Sequence, residues 1–456
     1  MGKHYIGKNV LDAANERIAV AFRDFDNVLV AFSCGKDSGV TLNLAYQYAK
    51  QHGLLHKLAC YYEDYEAGYR FTHEYADRTF KMLSADVKRL YWLCLPITAA
   101  CSVSMHQTTW IPWDDDKRDI WVRPMPDYPY VVNMQNCPFA FAKGTKGFDT
   151  RIQFAQWFGQ TFGSTAVLIG LRADESLTRL SIITSIGRKL MHRGLRCTKR
   201  VDDNTMNFYT IYDWRTEDIW TANAKFGFDY NKIYDLYYQA GLNIDEMRIA
   251  SPFHQCGQAG LKLFRVIDPN SWGKMVGRVN GVNFTGIYGG TTAMGWHKIT
   301  KPSHFTWKQY AEFLLSTLPA ETKKKFEDKI AKSRWHWRVQ GGARSQEFIA
   351  QLEREGWKIR RTHKPANRGH RVDELIYLDE MMDDTNVDDF RRAPTWKRVC
   401  ITILKNDSSA LYMGFQRTTD QNILRARALE RYKRIKMPKE LQGRSDEKQL
   451  EREQNS

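Results

Sequence analysis

Val28-Leu29-Val30-Ala31-Phe32-Ser33-Cys34-Gly35-Lys36-Asp37-Ser38-Gly39-Val40-Thr41-Leu42 is an apolar run of strand character that ends in a turn of small polar residues around one glycine and one lysine. Helix-compatible residues, Val40 to Lys50, follow directly. A buried strand feeding such a turn and then a helix gathers backbone N–H groups and the positive end of the helix around one point, where an anion is stabilised. Lys36 adds a mobile positive charge, and Ser33 and Ser38 add hydroxyls. The spacing is not that of a Walker A loop, which needs four residues between its first glycine and the Gly-Lys pair. Nor is it the G-x-G-x-x-G of dinucleotide folds.

Around this turn stands a chain of 456 residues, long enough for two or three domains. Its 43% hydrophobic and 26% charged residues are a globular composition. No stretch approaches the eighteen or so apolar residues of a membrane span. Met1-Gly2-Lys3-His4-Tyr5-Ile6 lacks both the apolar core of a secretion signal and the hydroxyl residue favoured at position six for myristoylation, so a cytoplasmic location is expected. The eight cysteines, Cys34, Cys60, Cys94, Cys101, Cys137, Cys197, Cys256 and Cys400, are scattered without a C-x-x-C pair. Neither a disulfide framework, nor a zinc ribbon, nor an iron–sulfur cluster is expected from them. The net charge of +16 favours polyanionic partners or substrates.

Leu11, Ala14, Ile18, Phe22 and Phe25 recur at helical spacing, predicting a helix over 9–25 that packs on the strand from Val28. Leu58 to Tyr62 reads as a second strand, completing a parallel strand–helix–strand unit. Glu63-Asp64-Tyr65-Glu66-Ala67-Gly68 leaves the carboxyl end of that strand, the edge where open parallel sheets hold ligands. A solvated acidic turn fits Asp64 or Glu66 taken alone equally well. A third strand is predicted within Val87 to Leu95. Residues 99–147 set Trp110, Trp113 and Trp121 among Pro112, Pro124, Pro126 and Pro129, which predicts an insertion. Its aromatics either cover the site or form a small core of their own. Helix 148–162 and strand 166–170 follow, and then Leu171-Arg172-Ala173-Asp174-Glu175-Ser176-Leu177-Thr178-Arg179. Two arginines flanking Glu-Ser can grip a phosphate from both sides of a turn; a helix start capped by Asp174 or Ser176 is the plainer reading. Gly187 to Arg200 is strongly basic. Near Asp213-Trp214 a strand gives way to a helix that Thr216 can cap.

Ser33-Cys34-Gly35-Lys36-Asp37-Ser38 resembles the PP-loop, S-x-G-K-D-S, of the ATP pyrophosphatases and phosphoadenosine phosphosulfate (PAPS) reductases. Arg172, Glu175, Ser176 and Arg179 match the family's G-h-R-x-x-E-S-x-x-R segment. Tyr212-Asp213-Trp214 and Tyr230-Asn231-Lys232-Ile233-Tyr234-Asp235-Leu236 resemble its later blocks, and Asp64 its acidic turn. The likeness runs over roughly residues 20–260. It implies an α/β fold, a doubly wound parallel sheet of the PP-loop type that binds ATP or PAPS with Mg²⁺. It also implies nucleotide-binding roles for Ser33, Cys34, Gly35, Lys36, Asp37, Ser38, Asp64, Arg172, Glu175, Ser176, Arg179 and Asp213. Within that set Lys36, Asp37, Arg172 and Arg179 serve catalysis, and Asp37 serves the metal. The C-terminal E-C-G-L-H motif of assimilatory PAPS reductases is absent; Cys256, in His254-Gln255-Cys256-Gly257, is the nearest cysteine, in different surroundings.

The nucleotide domain is drawn over 1–260, an extension over 261–422 and a charged tail over 423–456. Gly273 to Gly295 reads as loops around short strands, and Thr306 to Ile330 as one or two helices. Residues 331–371 hold eleven Lys/Arg against three Glu, and 373–389 hold eight Asp/Glu with no Lys/Arg. The basic segment either binds RNA or DNA or pairs with the acidic one. A PAPS-reductase-like half with a tryptophan-bearing, basic and α-rich extension resembles the immunoglobulin-binding regulator A type of bacterial and phage protein, which implies a ParB-like partner. Three functions stay open: ATP-dependent adenylylation with pyrophosphate release, including sulfur transfer or nucleic-acid modification; sulfonucleotide reduction; and a nucleotide-sensing regulator that binds nucleic acid.

Overall fold

The computed structural model describes residues 7–415 except 185, 187–189, 245–246, 255–256, 258–259, 290, 292–298, 369–370 and 387–393. The chain divides into two units, Met1–His297 and Lys298–Ser456. The tail drawn over 423–456 lies outside the described residues.

In the first unit, alternation along the strands builds the layers. Helix α1 (Val10–Asp24) is capped by Asn9, whose side chain accepts from the Asp12 N–H at 2.8 Å. Strand β1 (Asn27–Phe32) sends Val28, Val30 and Phe32 into one apolar layer and Leu29 into another. The first layer is closed by α1, by α2 (Lys36–Gln51) and by α3 (Arg70–Ser84), which flanks β2 (Leu58–Glu63) and precedes β3 (Arg89–Leu93). The insertion contributes the antiparallel pair β4 (Ala99–Ala100) and β5 (Thr109–Trp110) and the edge strand β6 (Val131–Val132). Helix α4 (Gly147–Phe162) covers the opposite face with Phe154 and Phe158. Strand β7 (Thr165–Ile169), helix α5 (Leu177–Thr184), strands β8 (Thr198–Arg200) and β9 (Thr205–Phe208) and helices α6 (Thr216–Phe226) and α7 (Ile233–Gln239) complete the sheet region. The seven strands run β6-β3-β2-β1-β7-β9-β8, all parallel except for the β8–β9 pair. This is the doubly wound α/β sheet expected from the sequence. Among the described residues, no helix is long and apolar enough to cross a membrane.

Several boundaries move. Helix α2 begins at Lys36, not Val40, because Gly35 in extended conformation already serves as its N-cap. Arg215 rather than Thr216 is the N-cap of α6; its N–H donates to the Asp218 carboxylate at 2.7 Å. The glycine-rich stretch after 273 is helical: α8 (Leu261–Ile267), α9 (Pro269–Arg278) and α10 (Val282–Tyr288). These helices belong to the first unit, so the boundary falls at 297 and not at 260. Their apolar faces pack with Tyr69, Tyr234 and Phe253, and Tyr69 stacks on Phe264 at 3.5 Å.

Arg278 ties α9 down. Its guanidinium grips Glu66 at 2.8 and 3.0 Å and donates to the Ile111 carbonyl at 2.7 Å. Glu66 also accepts the N–H groups of Trp113 and Val122, at 2.8 and 3.0 Å. Both partners are buried. The tryptophans of the insertion build core: Trp110 and Trp113 are buried, and Trp113 meets Trp121 edge-on at 5.2 Å.

The second unit packs α11 (Trp307–Ser316), α12 (Ala320–Trp335) and, later in the chain, α14 (Trp396–Leu404) around Phe326, Ile330 and Val399. Thr306 and Gln309 cap α11 reciprocally, at 3.1 and 2.8 Å. A three-stranded antiparallel sheet, not foreseen in the sequence, runs in the order β10-β12-β11 and is backed by α13 (Gln346–Arg354). Its strands are β10 (Gly342–Arg344), β11 (Ile359–Arg368) and β12 (Arg371–Leu378). The β11–β12 hairpin brings the basic and acidic segments together: Lys358–Glu380 at 3.6 Å, Arg360–Asp379 at 2.9 Å and Arg361–Glu374 at 2.6 Å.

Two outcomes follow from these ion pairs. Arg278→Ala leaves a buried carboxylate unpaired and lowers stability by about 3–5 kcal/mol in urea unfolding, whereas Glu66→Gln with Arg278→Met lowers it less. Hydrogen bonds from Arg361 and Gln346 hold the Glu374 carboxyl at about 2 against an ordinary 4.5. Its contribution is therefore complete above about pH 4.5 and lost as pH falls toward 2. Thermal unfolding followed down through this range declines less steeply for Glu374→Gln than for the parent.

Candidate functional site

The strand order reverses at β1, which has β2 on one side and β7 on the other. A crevice opens at the carboxyl ends of the strands at such a point, and ligands of open α/β sheets bind there. The Ser33–Ser38 turn leaves β1 and the Gly170–Arg179 segment leaves β7, so topology alone brings the two strongest sequence matches together.

Cys34, with φ of +58°, turns the chain sharply out of the strand. Its carbonyl accepts from Asn231 Nδ2 at 3.2 Å. The Ser33 N–H donates to Ser38 Oγ at 3.1 Å, the two hydroxyls lie 3.0 Å apart, and Ser38 Oγ donates to the Gly35 carbonyl at 3.1 Å. The Lys36 N–H donates to the Tyr234 phenol oxygen at 3.0 Å. Asn231 is fully buried; it donates to Thr72 Oγ1 at 3.0 Å and accepts from the Ile233 N–H at 3.1 Å. Asn231 and Tyr234 thus hold the turn from beneath. Both lie in the Tyr230–Leu236 match, whose sequence alone assigned neither a role.

Lys36, Asp37 and Arg172 converge above the turn. Lys36 Nζ lies 3.3 Å from Asp37 Oδ2, and Arg172 Nε donates to Asp37 Oδ1. Lys36 and Arg172 are buried. Arg172 Nη1 is enclosed without a hydrogen-bond partner, its nearest carboxylate being Asp174 at 4.0 Å. Gly170 makes the convergence possible, since a Cβ there would come within 2.8 Å of the Ser38 nitrogen and 2.9 Å of the Asp37 carbonyl. Farther along, Ser176 caps α5 by accepting the Arg179 N–H at 3.2 Å, and Arg179 reaches Glu175 at 3.4 Å. Arg248 donates to the Glu175 carbonyl at 2.9 Å.

Asp64 and Asp213 are engaged elsewhere. Asp64 is buried, accepting from Trp92 Nε1 at 2.7 Å and pairing with Arg123 of the insertion. Burial opposes its charge, yet the attraction of Arg123 leads the effects that hold its carboxyl below the ordinary value. Asp213 takes a bidentate grip from Arg17 of α1, both bonds 2.7 Å. Cys34 is enclosed, and burial first, with Asp64 second, pushes its thiol well above the ordinary value. Burial likewise raises Cys101 and Cys197 to about 11 and Cys400 to about 12. Cys256 lies outside the described residues.

The support beneath the turn is measurable on its own. Asn231→Ala strips the Cys34 carbonyl and Thr72 of a donor and costs about 1–3 kcal/mol in urea unfolding; Tyr234→Phe costs about 1 kcal/mol. Both raise amide hydrogen exchange at Gly35 and Lys36.

Comparison with known proteins finds likeness over most of the chain. Residues 241–423 match a family described as a domain of unknown function (DUF3440). The uncharacterized protein YbdN of Escherichia coli (strain K12) is 32% identical over 421 residues, which are 91% of this chain and 93% of YbdN. Among solved structures, the FMN adenylyltransferase of Candida glabrata in complex with ATP is similar at 12% identity and a TM-score of 0.29. That match covers 49% of this chain and 57% of that enzyme, so the chain spans little more than half its length. The PAPS reductase of Candida auris, a phosphate complex, is similar at 14% identity and a TM-score of 0.28, over 52% and 94% of the two chains. The U34-tRNA thiolase NcsA of Methanococcus maripaludis, with its [4Fe-4S] cluster, gives 10% and 0.29, over 62% and 82%. At 32% identity over nearly its whole length, the chain belongs to the same family as YbdN of Escherichia coli.

Proposed function

We propose that this chain binds ATP, or a closely related adenine nucleotide, at the Ser33–Ser38 turn and activates its α-phosphate for transfer of adenylate to an acceptor. The observation that carries the reading is the cluster of Lys36, Asp37 and Arg172, with the enclosed Arg172 Nη1 still lacking a hydrogen-bond partner. A buried guanidinium donor without an acceptor is costly, and a phosphate oxygen supplies the missing one with good geometry. The start of α2 lies at the same point and adds the helix-end field.

Asp37 sits between two cations only while no stronger anion competes for them. A triphosphate draws Lys36 and Arg172 to its own oxygens and leaves Asp37 free to hold Mg²⁺, which would offset charge on the departing pyrophosphate. Among the described residues no group of three or more His, Cys, Asp or Glu could hold a metal by itself, so the ion would arrive on the nucleotide. An acceptor oxygen or nitrogen then attacks the α-phosphorus. The bond to the bridging oxygen breaks, its electron pair leaves with pyrophosphate, and the acceptor's proton passes to solvent. Positioning and charge stabilisation provide the rate, since the step needs no covalent bond to the protein. The raised thiols of Cys34, Cys101 and Cys197 favour this reading over one in which a described cysteine carries sulfur.

Calorimetry with MgATP tests the site. Lys36→Ala and Arg172→Ala each weaken binding by about 10–150-fold, the equivalent of roughly 1.5–3 kcal/mol for a charged hydrogen bond. Unchanged affinity in both variants refutes the assignment. Pyrophosphate release from ATP, measured with RNA or DNA added as acceptor, separates an enzyme from a nucleotide sensor.

A further inference from the structure

The second unit divides the basic segment of the sequence into two parts with different fates. Lys358, Arg360 and Arg361 spend their charge on Glu380, Asp379 and Glu374 across the hairpin. The stretch from Lys329 to Gln346 has no such partners at hand: it contains Lys329, Lys332, Arg334, Arg338 and Arg344 and no Asp or Glu. Lys329 lies over the Phe415 ring and Arg344 over Trp337. Among the described residues, Lys332, Arg334 and Arg338 pair with no carboxylate, and all three are exposed.

Trp335 stands among them. It ends α12 and is 55% exposed, whereas Trp337, two residues on, is 8% exposed and packs with Phe348, Ile349 and Leu352. A π-helical turn over His336–Gln340 separates their directions, and such turns frequently mark functional positions. Gly341, with φ of +67°, closes the turn against the sheet, where a Cβ would come within 2.5 Å of the Ile376 carbonyl. Lys332 and Trp335, three apart on the helix, are neighbours on its surface. The result is an indole face in solvent, ringed by unpaired cations, with His336 and Val339 also exposed.

We infer that this strip, Lys332, Arg334, Trp335 and Arg338, is a binding site for single-stranded nucleic acid. The indole would stack on a base while the cations contact flanking phosphates. Each feature has its counterpart in the ligand. Base stacking needs an exposed ring and tolerates any sequence, and the phosphodiester backbone needs cations not already neutralised. An anionic membrane fits less well, because the exposed apolar groups amount to one indole and Val339 rather than the continuous face an interfacial helix inserts. The inference does not depend on the nucleotide site, and its test needs no ATP.

The test is fluorescence anisotropy of the full chain with a labelled single-stranded RNA of mixed sequence and with the same sequence as DNA. Both arms are expected to bind; tighter binding of one identifies it as the natural form, and equal binding means that bases and phosphates alone are read. Trp335→Ala is expected to weaken binding by about tenfold or more and Trp335→Phe to retain most of it. Lys332→Ala with Arg334→Ala is expected to flatten the log–log salt dependence by about one. Arg360→Ala, whose charge is already paired, leaves affinity unchanged. Trp335 is exposed, so the variants keep the parent's melting temperature; should Trp335→Ala not, the lysine–arginine variant and Trp335→Phe still decide. Failure of both oligonucleotides to bind, undiminished binding by Trp335→Ala, or binding of phosphatidylserine vesicles in preference to either strand would overturn the inference.

Discussion

One buried carboxylate organises the upper side of the first unit. Glu66 adopts φ of +63°, an uncommon conformation for a side-chain-bearing residue, and lies wholly inside. It gathers two donors from Arg278 of α9 and two backbone donors from the insertion. Removing a carboxylate from water is costly unless every lone-pair direction is met, and here four donors meet them. The exit of β2, the aromatic insertion and the helices after residue 260 therefore share one electrostatic anchor. Asp64, two residues earlier, repeats the device with Arg123 and Trp92. The acidic turn is interior structure rather than a solvent-facing charge.

That anchoring frees the neighbouring edge for charge that is only provisionally neutralised. At the switch point Asp37 is shared by Lys36 and Arg172, leaving a net positive cluster with one guanidinium nitrogen unsatisfied. The contrast is chemical: Glu66 is saturated, whereas Arg172 is not. Unsatisfied buried donors are rare in folded proteins, and those that occur call for an explanation such as a ligand.

Local pattern made the central sheet legible in the sequence. Val28 to Phe32, Leu58 to Tyr62 and Ala166 to Ile169 are apolar runs of strand length with turn residues at their ends, and their order on the chain fits parallel pairing. The anion-binding turn was legible for the same reason. What escaped was long-range or weakly patterned. No periodicity links Glu66 to Arg278 or Asp213 to Arg17, so both carboxylates read as free. Helices α9 and α10 carry Gly273, Gly277 and Gly286, which lower helix propensity, and tertiary packing on Met275 and Val282 overrides it. The cysteines read correctly as inert where they are described, since isolated thiols without neighbouring cations tend to be buried. Charge balance raised the pairing of the basic and acidic segments, but it could not tell that Arg360 and Arg361 would be paired and Arg334 and Arg338 left over.

Gly170 has a mechanical meaning beyond its steric one. With the end of β7 held against the Asp37–Ser38 backbone, strand and helix share a single contact surface and lack the slack for one to slide on the other. A ligand entering here meets a mould rather than a gate. Recognition has to proceed by exchange of charge partners among Lys36, Asp37 and Arg172, leaving the main chain in register with its empty form. Such a site would load a crystal by diffusion without cracking it, and would report occupancy in its side chains alone.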